Sequence, residues 1–469
     1  MPIIRPHTPL VCLVLSLVCV FLIGSFSLFC KKGHGSRLID ESGKSYLDTR
    51  NNVAHCGHGH PRVVAAVQHQ VATLNTNTRY LHPNVCVLAK RLASLLPDPL
   101  EVVFLVNSGS EANDLALRLA RAYSGYPNTV CVEGAYHGHS AACLEVSPYK
   151  FECSSEFRLA LPAHNAPFPT PSSHIWKVPC PDTYRGIYRD PSTAGTQYAQ
   201  YVQDACDAYQ AKGEKMAAFI IESGLSVGGV VLPPPGYLHR CAQAVRKAGG
   251  LYIADEVQTG FGRLGSSFWA FQHSHVPGDE ATKTPPVPDI VTIGKPMGNG
   301  MPLAAVVTTR SVVKAFESKG VEYFNTFGGN PVCAAAGLAV LDVLETEGLQ
   351  EKARVFGKYL RDKFLALQER LDIIGDVRGS GFFLGIELVR NRTTLEPATQ
   401  ETSFLCTKLK EKYCILTSID GLHDNVLVVK PPMVFSRADA NYFASCFEKA
   451  VLTDLAAVHD IHSMDKTPT

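Results

Sequence analysis

The sequence predicts an α/β chain: a large domain built on a mostly parallel sheet with helices on both faces, then a smaller α+β C-terminal domain. Three observations carry this. Six short apolar runs are continuous rather than alternating, as strands buried on both faces must be. Amphipathic helical stretches separate them over about 200 residues, the strand–helix repetition of α/β folds. After about residue 335 the pattern changes to two long helices and a short set of strands.

The chain has 469 residues, enough for two or three structural units, and is 46% hydrophobic and 19% charged. A disordered or fibrous protein is excluded. Lys plus Arg number 44 against 43 Asp plus Glu, so no basic footprint for nucleic acid is expected. Fifteen scattered cysteines with no C-x-x-C pair do not form a disulfide framework, and a reducing compartment fits them better.

Residues 9–30 carry no charge, flanked by Arg5 and by Lys31 and Lys32. That length suits a membrane-spanning helix or a signal segment, so residues 1–33 are assigned to an apolar leader outside the fold. Residues 34–60 then form an N-terminal segment packing with the small domain. The large domain covers 61–335 and the small domain 336–469.

The predicted strands of the large domain are 102–106 (VVFLV), 129–132 (TVCV), 217–221 (AAFII), 251–254 (LYIA), 290–293 (IVTI) and 303–307 (LAAVV). Ala112, Leu115, Ala116, Leu119 and Ala120 fall on one face of a helix. Pro- and Ser-rich stretches at 161–173 and 274–288 read as loops. Helices are expected at 332–347 and 350–371, with strands in GFFLGIEL and VLVVKPP.

Three segments carry chemistry. NSGSEAN at 107–113 follows the first strand and opens a helix, whose unpaired N–H groups and dipole suit a phosphate, although a plain serine cap explains the same residues. Asp255 ends the LYIA strand, where α/β folds bind ligands. Lys295 stands on a Gly- and Pro-rich turn after IVTI, where an amine is held for Schiff-base chemistry. A phosphate cradle, an acid for a protonated pyridine nitrogen and an amine are together the requirements of pyridoxal 5′-phosphate.

In order, SGSEAN, AYHGH, IADEVQTGFGRLG, DIVTIGKPMGNGMP and FNTFGGNP resemble the class-III aminotransferase family of pyridoxal-phosphate enzymes of fold type I. The likeness runs from about residue 36 to about residue 455. It implies that Lys295 carries the cofactor and Asp255 pairs its pyridine nitrogen. Ser108, Gly109 and Ser110 would hold the phosphate, Tyr136 would stack on the ring, and Glu222 and Gln258 would lie beside it. Thr326 would reach a cofactor phosphate from the partner subunit of a homodimer. Arg378 matches a family arginine that takes a substrate carboxylate. The compartment implied is mitochondrial or cytoplasmic, or a membrane if the leader is retained.

Further strings (NNVAHCGHGHP, LNTNTRYLH, PDTYRG, EYFNTFGGNP and VKPPM) are similar to the phospho-lyase branch, whose members act on phosphoethanolamine or 5-phosphohydroxy-L-lysine and are often labelled alanine–glyoxylate aminotransferase 2-like. SVGG, DVRG and GVEYFNTFGG are closer to the hydroxylysine enzyme and GKPMGNG to the ethanolamine enzyme, so both substrates stay open. A phospho-lyase needs an anion pocket for its leaving group, and Arg79 and Arg185 are the candidates. The alternatives are a class-III transaminase using the same residues and a catalytically silent, membrane-tethered paralogue.

Two motifs are read as decoys. GFGRLG at 260–265 lacks the strand and helix of a dinucleotide fingerprint. His55, Cys56, His58 and His60 have metal-ligating side chains in no zinc spacing, and no metal is expected.

Overall fold

All six predicted runs enter one seven-stranded sheet in the computed structural model, which describes residues 28–151, 173–273, 285–320 and 322–457. Its strands are β4 (Val102–Val106), β5 (Thr129–Val132), β6 (Ile175–Val178), β7 (Ala218–Glu222), β8 (Leu251–Asp255), β9 (Ile290–Ile293) and β10 (Ala304–Thr308). They lie in the order β4-β10-β9-β8-β7-β5-β6. β10 runs antiparallel to both neighbours, and the other pairings are parallel.

Strand side chains alternate between faces, and here both faces are dry. Phe219, Ile221, Tyr252 and Ala254 join the core that contains Leu238, Cys241 and Val245 of the helix Tyr237–Lys247. The intervening Ala218, Ile220, Leu251 and Ile253 meet Leu115, Ala116 and Leu119 of the helix Gly109–Ser124. This double burial is why the runs read as continuous.

Strand β6 was not expected. It lies at the sheet edge with Trp176 and Lys177 exposed, so IWKV has no continuous apolar signature. The Pro- and Ser-rich stretches fall largely outside the described residues, at 161–172 and 274–284.

The N-terminal segment forms β1 (Cys30–His34), β2 (Arg37–Asp40) and β3 (Ser45–Asp48), with β3 pairing in parallel to β14 (Ile415–Leu416) near the other end of the chain. Among the described residues the first strand therefore starts at Cys30, within the span assigned to the leader. Residues 9–27 of the apolar stretch lie outside the described residues. Among the described residues no helix is long and apolar enough to cross a membrane.

The C-terminal sheet contains β11 (Ile374–Ser380), β12 (Phe383–Asn391), β16 (Val426–Val429) and β15 (Ser418–Asp420), with β13 (Glu396–Pro397) on β12. Two long helices precede it, Pro331–Thr346 and Leu349–Gln368. The first carries an almost wholly apolar surface and packs on the helices Pro61–Thr73 and Pro83–Ser94.

Candidate active site

Because only β10 is reversed, β4, β9, β8 and β7 all deliver their C-terminal ends to one edge of the sheet, the place where α/β folds take ligands. A cavity of about 370 Å³ opens there. Its walls include Ser108, Gly109, Ser110, Tyr136, Glu222, Asp255, Gln258 and Lys295. Eight residues expected from distant segments thus share one cavity.

Each is placed by its local structure. Asp255 and Glu222 are the last residues of β8 and β7 and lie in register with each other. Lys295 opens a short 3-10 turn, Lys295–Gly298, directly beyond β9. The turn closes on Asn299 at φ +46°, whose side chain accepts from Cys56 N (2.7 Å) and donates to Gly57 O (3.1 Å). The lysine turn is therefore tied to the Gly-rich loop of residues 51–61.

Ser108 does cap its helix, its Oγ accepting from Glu111 N at 3.2 Å. The cap is compatible with a phosphate, because it leaves the N–H groups of the first turn beside the cavity. Gly109 lets three elements converge: a Cβ there would meet Val257 Cγ1 at 2.6 Å. Asn107 Nδ2 donates to Glu111 Oε2 (2.9 Å) and to Asn325 Oδ1 (2.9 Å), anchoring the loop that carries Thr326.

Asp255 is nearly inaccessible to solvent, and its carboxylate is held by three donors. Asn113 Nδ2 (2.8 Å) and His137 Nδ1 (2.7 Å) donate to Oδ2, and Val257 N donates to Oδ1 (3.0 Å). Thr292 Oγ1 in turn donates to Asn113 Oδ1 at 2.6 Å, which fixes the amide with its NH₂ towards the acid. Lone-pair capacity for one further donor remains. Asn113 and His137 are the residues sequence reasoning did not assign. Their signal was a buried-face Asn on an apolar helix and a His beside Tyr136.

Burial lowers the Lys295 amine below its ordinary 10.5, against the opposing pull of Asp255 and Glu222. It pushes the Glu222 carboxyl up, reinforced by the charge of Asp255. Glu222 accepts from Tyr136 N (3.1 Å) and Ser226 N (3.2 Å). The Tyr136 phenol is pushed up to about 12, chiefly by burial, and stays neutral.

The residues present fit pyridoxal phosphate. A cavity of suitable size joins an amine of lowered proton affinity, a carboxylate fixed from behind and a helix N-terminus opened by a glycine. Lys295 would hold the aldehyde carbon, Asp255 the ring nitrogen, and Gly109 and Ser110 the phosphate.

The expected substrate residues stand elsewhere. Arg79 is exposed, its guanidinium 5.2 Å from the Phe324 ring. Arg185 and Arg378 line a second cavity of about 200 Å³ with Asp182, Glu133 and Glu387. Arg378 bonds Gly229 O (2.9 Å), Asp376 (3.0 Å) and Glu387 (2.6 Å), and Arg185 also binds Glu387. Thr326 is exposed and outside this chain's cavity walls.

The histidines of the Gly-rich loop each have a partner of their own: His55 with Phe261 O, His58 with Asp48, His60 with Glu347. Among the described residues no cluster could hold a metal. Arg263, in the GFGRLG string, is fully buried and donates to Phe382 O, Pro431 O and His55.

The comparisons agree with this geometry. The family model for class-III aminotransferases matches residues 23–451. An alanine–glyoxylate aminotransferase 2-like protein of Drosophila melanogaster is 45% identical over 92% of this chain and 84% of its own length. An ethanolamine-phosphate phospho-lyase homolog of Caenorhabditis elegans is 41% identical over 85% and 83%. Among solved structures, a phospholyase from Arthrobacter in complex with phosphoethanolamine superposes with a TM-score of 0.82 at 36% identity, covering 94% of this chain and 99% of that one. An ω-transaminase from Thermomicrobium roseum gives 0.78 at 28%, covering 96% and 95%. The chain belongs to the class-III aminotransferase family, with the fold type I architecture and pyridoxal 5′-phosphate as its cofactor.

Proposed function

We propose that this enzyme is a carbon–oxygen lyase that releases phosphate from a vicinal amino-phosphate, yielding an aldehyde, ammonia and inorganic phosphate with uptake of one water. The observation that carries this reading is the likeness to the Arthrobacter phospholyase, whose 36% identity exceeds the 28% of the transaminase. Pyridoxal phosphate, when bound, supplies a sink for the electrons left when a carbon beside an amine loses its proton.

The chain's own residues do the rest. The Lys295 amine takes the proton from the carbon bearing the substrate nitrogen. Asp255, held by Asn113 and His137, would keep a proton on the ring nitrogen. With phosphate on the neighbouring carbon, its departure consumes the electron pair, and the enamine set free takes up water.

Of the two substrates, 5-phosphohydroxy-L-lysine is favoured. The second cavity sets Arg185 and Arg378 beside Asp182 and Glu387, a mixed charge that suits an amino-acid end group. Phosphoethanolamine has no such end. Arg79 is proposed for the leaving phosphate and Thr326 for the cofactor phosphate of the neighbouring subunit. Exposed Tyr80, Leu81, Phe324 and Phe327 cluster on the loops carrying these two residues, which supports a homodimer. Relatives from Arabidopsis thaliana and Homo sapiens are described as mitochondrial, which supports that compartment.

A transaminase is the second reading, favoured by the alanine–glyoxylate aminotransferase name of the 45% identical relative. Phosphate release from each amino-phosphate without added keto acid separates them. Release without keto acid is expected. Absolute dependence on a keto acid would overturn the lyase reading.

A further inference from the structure

One buried cation near the site has no place in the chemistry above. Strand β16 is wholly apolar and is followed directly by Lys430, whose side chain is fully buried. Its position is rigidly set. Lys430 N donates to Thr49 O at 2.7 Å, Arg263 holds Pro431 O at 2.8 Å, and two prolines follow. Among the described residues Lys430 forms no ion pair. Its Nζ instead bonds Gln258 Oε1 at 3.1 Å and Ser226 Oγ, and stands 5.7 Å from the Phe383 ring centroid.

We propose that Lys430 is a positioning residue of the cofactor site, acting by holding the Gln258 amide with its N–H face towards the cavity. Gln258 Oε1 receives three donors: Lys430 Nζ, Asn52 Nδ2 at 2.9 Å and Ser226 Oγ at 3.2 Å. The reversed amide would turn its NH₂ to the Lys430 Nζ donor and its oxygen to the Glu222 carboxylate, so these two groups set the orientation. One Nε2 hydrogen faces Glu222 Oε2 at 3.4 Å, and the other is left for whatever fills the cavity, of which Gln258 is a wall. Pyridoxal phosphate carries a ring oxygen that accepts such a donor when deprotonated.

A buried ammonium without a carboxylate partner is expensive, and burial lowers its proton affinity. The role survives that, since a neutral amine still offers two N–H groups, one for Ser226 and one for Gln258. The inference rests on the cofactor alone and stands for lyase and transaminase alike.

The test is the pH titration of the bound cofactor's visible absorption. Losing a donor to the deprotonated ring oxygen raises the apparent pKa, so Lys430→Met should move it up by about half a unit to one unit. In a Gln258→Leu background the same substitution should add nothing, because Lys430 acts through that amide. Lys430→Gln, which keeps a donor, should restore most of the wild-type titration. An unmoved titration in Lys430→Met, or a full additional shift on top of Gln258→Leu, overturns the proposal. If Lys430→Met does not fold, Lys430→Leu takes its place: an upward shift restored by Lys430→Gln supports the role, and an unmoved titration refutes it.

Discussion

Replacing Gly138 by alanine tests how closely the cofactor cavity is built. Gly138 has φ +129°, a conformation that side chains rarely adopt, and an added Cβ would lie 2.4 Å from Ser110 Oγ and 2.9 Å from Ser110 Cα. Ser110 is a cavity wall, and its Oγ accepts from His139 N at 3.2 Å. The backbone strain is worth about 1–3 kcal/mol, and overpacking about another 1–3 kcal/mol. The substituted apoenzyme would relieve part of this by moving Ser110 off the wall, and the cofactor would need it back. At the lower sum, ~2 kcal/mol, cofactor affinity falls roughly thirtyfold. The assay is titration of apoenzyme with pyridoxal phosphate, followed by absorbance, with the apoenzyme melting temperature as control. Gly300→Ala is the companion variant. It too has a positive φ, but nothing lies within 4 Å of its Cβ, so it should lose much less. Binding by Gly138→Ala within about threefold of wild type, at an unchanged melting temperature, would refute the packing argument.

Three further outcomes follow from the same geometry. Asp255→Asn keeps the side chain's shape but not its charge, and turns one of its two accepting oxygens into an NH₂ facing a donor; it should cut kcat by about 10²–10³ with cofactor still bound, as steady-state kinetics would show. Glu387→Gln removes the carboxylate shared by two arginines, leaving Arg185 with no carboxylate and Arg378 with Asp376 alone. It should destabilise the fold by about 3–5 kcal/mol in denaturant titrations. Burial lowers the Lys295 amine, so its neutral, reactive form appears at lower pH than that of an ordinary lysine. Cofactor incorporation into apoenzyme should therefore rise with pH through an inflection below 10.5, and an inflection at 10.5 would contradict this.

How much of this was legible in the sequence depends on how local each signal was. Strands buried on both faces wrote themselves as unbroken apolar runs, and β4, β5 and β9 coincide with theirs. Strand β6 did not, because an edge strand shows Trp176 and Lys177 to solvent. Cys30–His34 was hidden by the charges at Lys31 and Lys32, which read as the flank of an apolar leader rather than as one arm of a hairpin. Lys295, Asp255 and the Ser108–Ser110 cap stand at strand ends on small-residue turns, a pattern with few other uses. Asn113 and His137 act on Asp255, 142 and 118 residues away in the chain, and Lys430 acts on Gln258 and Ser226, 172 and 204 residues away. Nothing near them in sequence names those partners. Arg185 and Arg378 were legible as substrate candidates, while the Glu387 carboxylate that holds both lay beyond any local signal.

Which amine the cofactor aldehyde meets is decisive, since two lysines, half-buried Lys295 and fully buried Lys430, lie near Gln258. Borohydride reduction of the holoenzyme followed by peptide mapping decides it. A phosphopyridoxyl group on Lys295 is the result expected. Its appearance on Lys430, or on neither, would contradict the account.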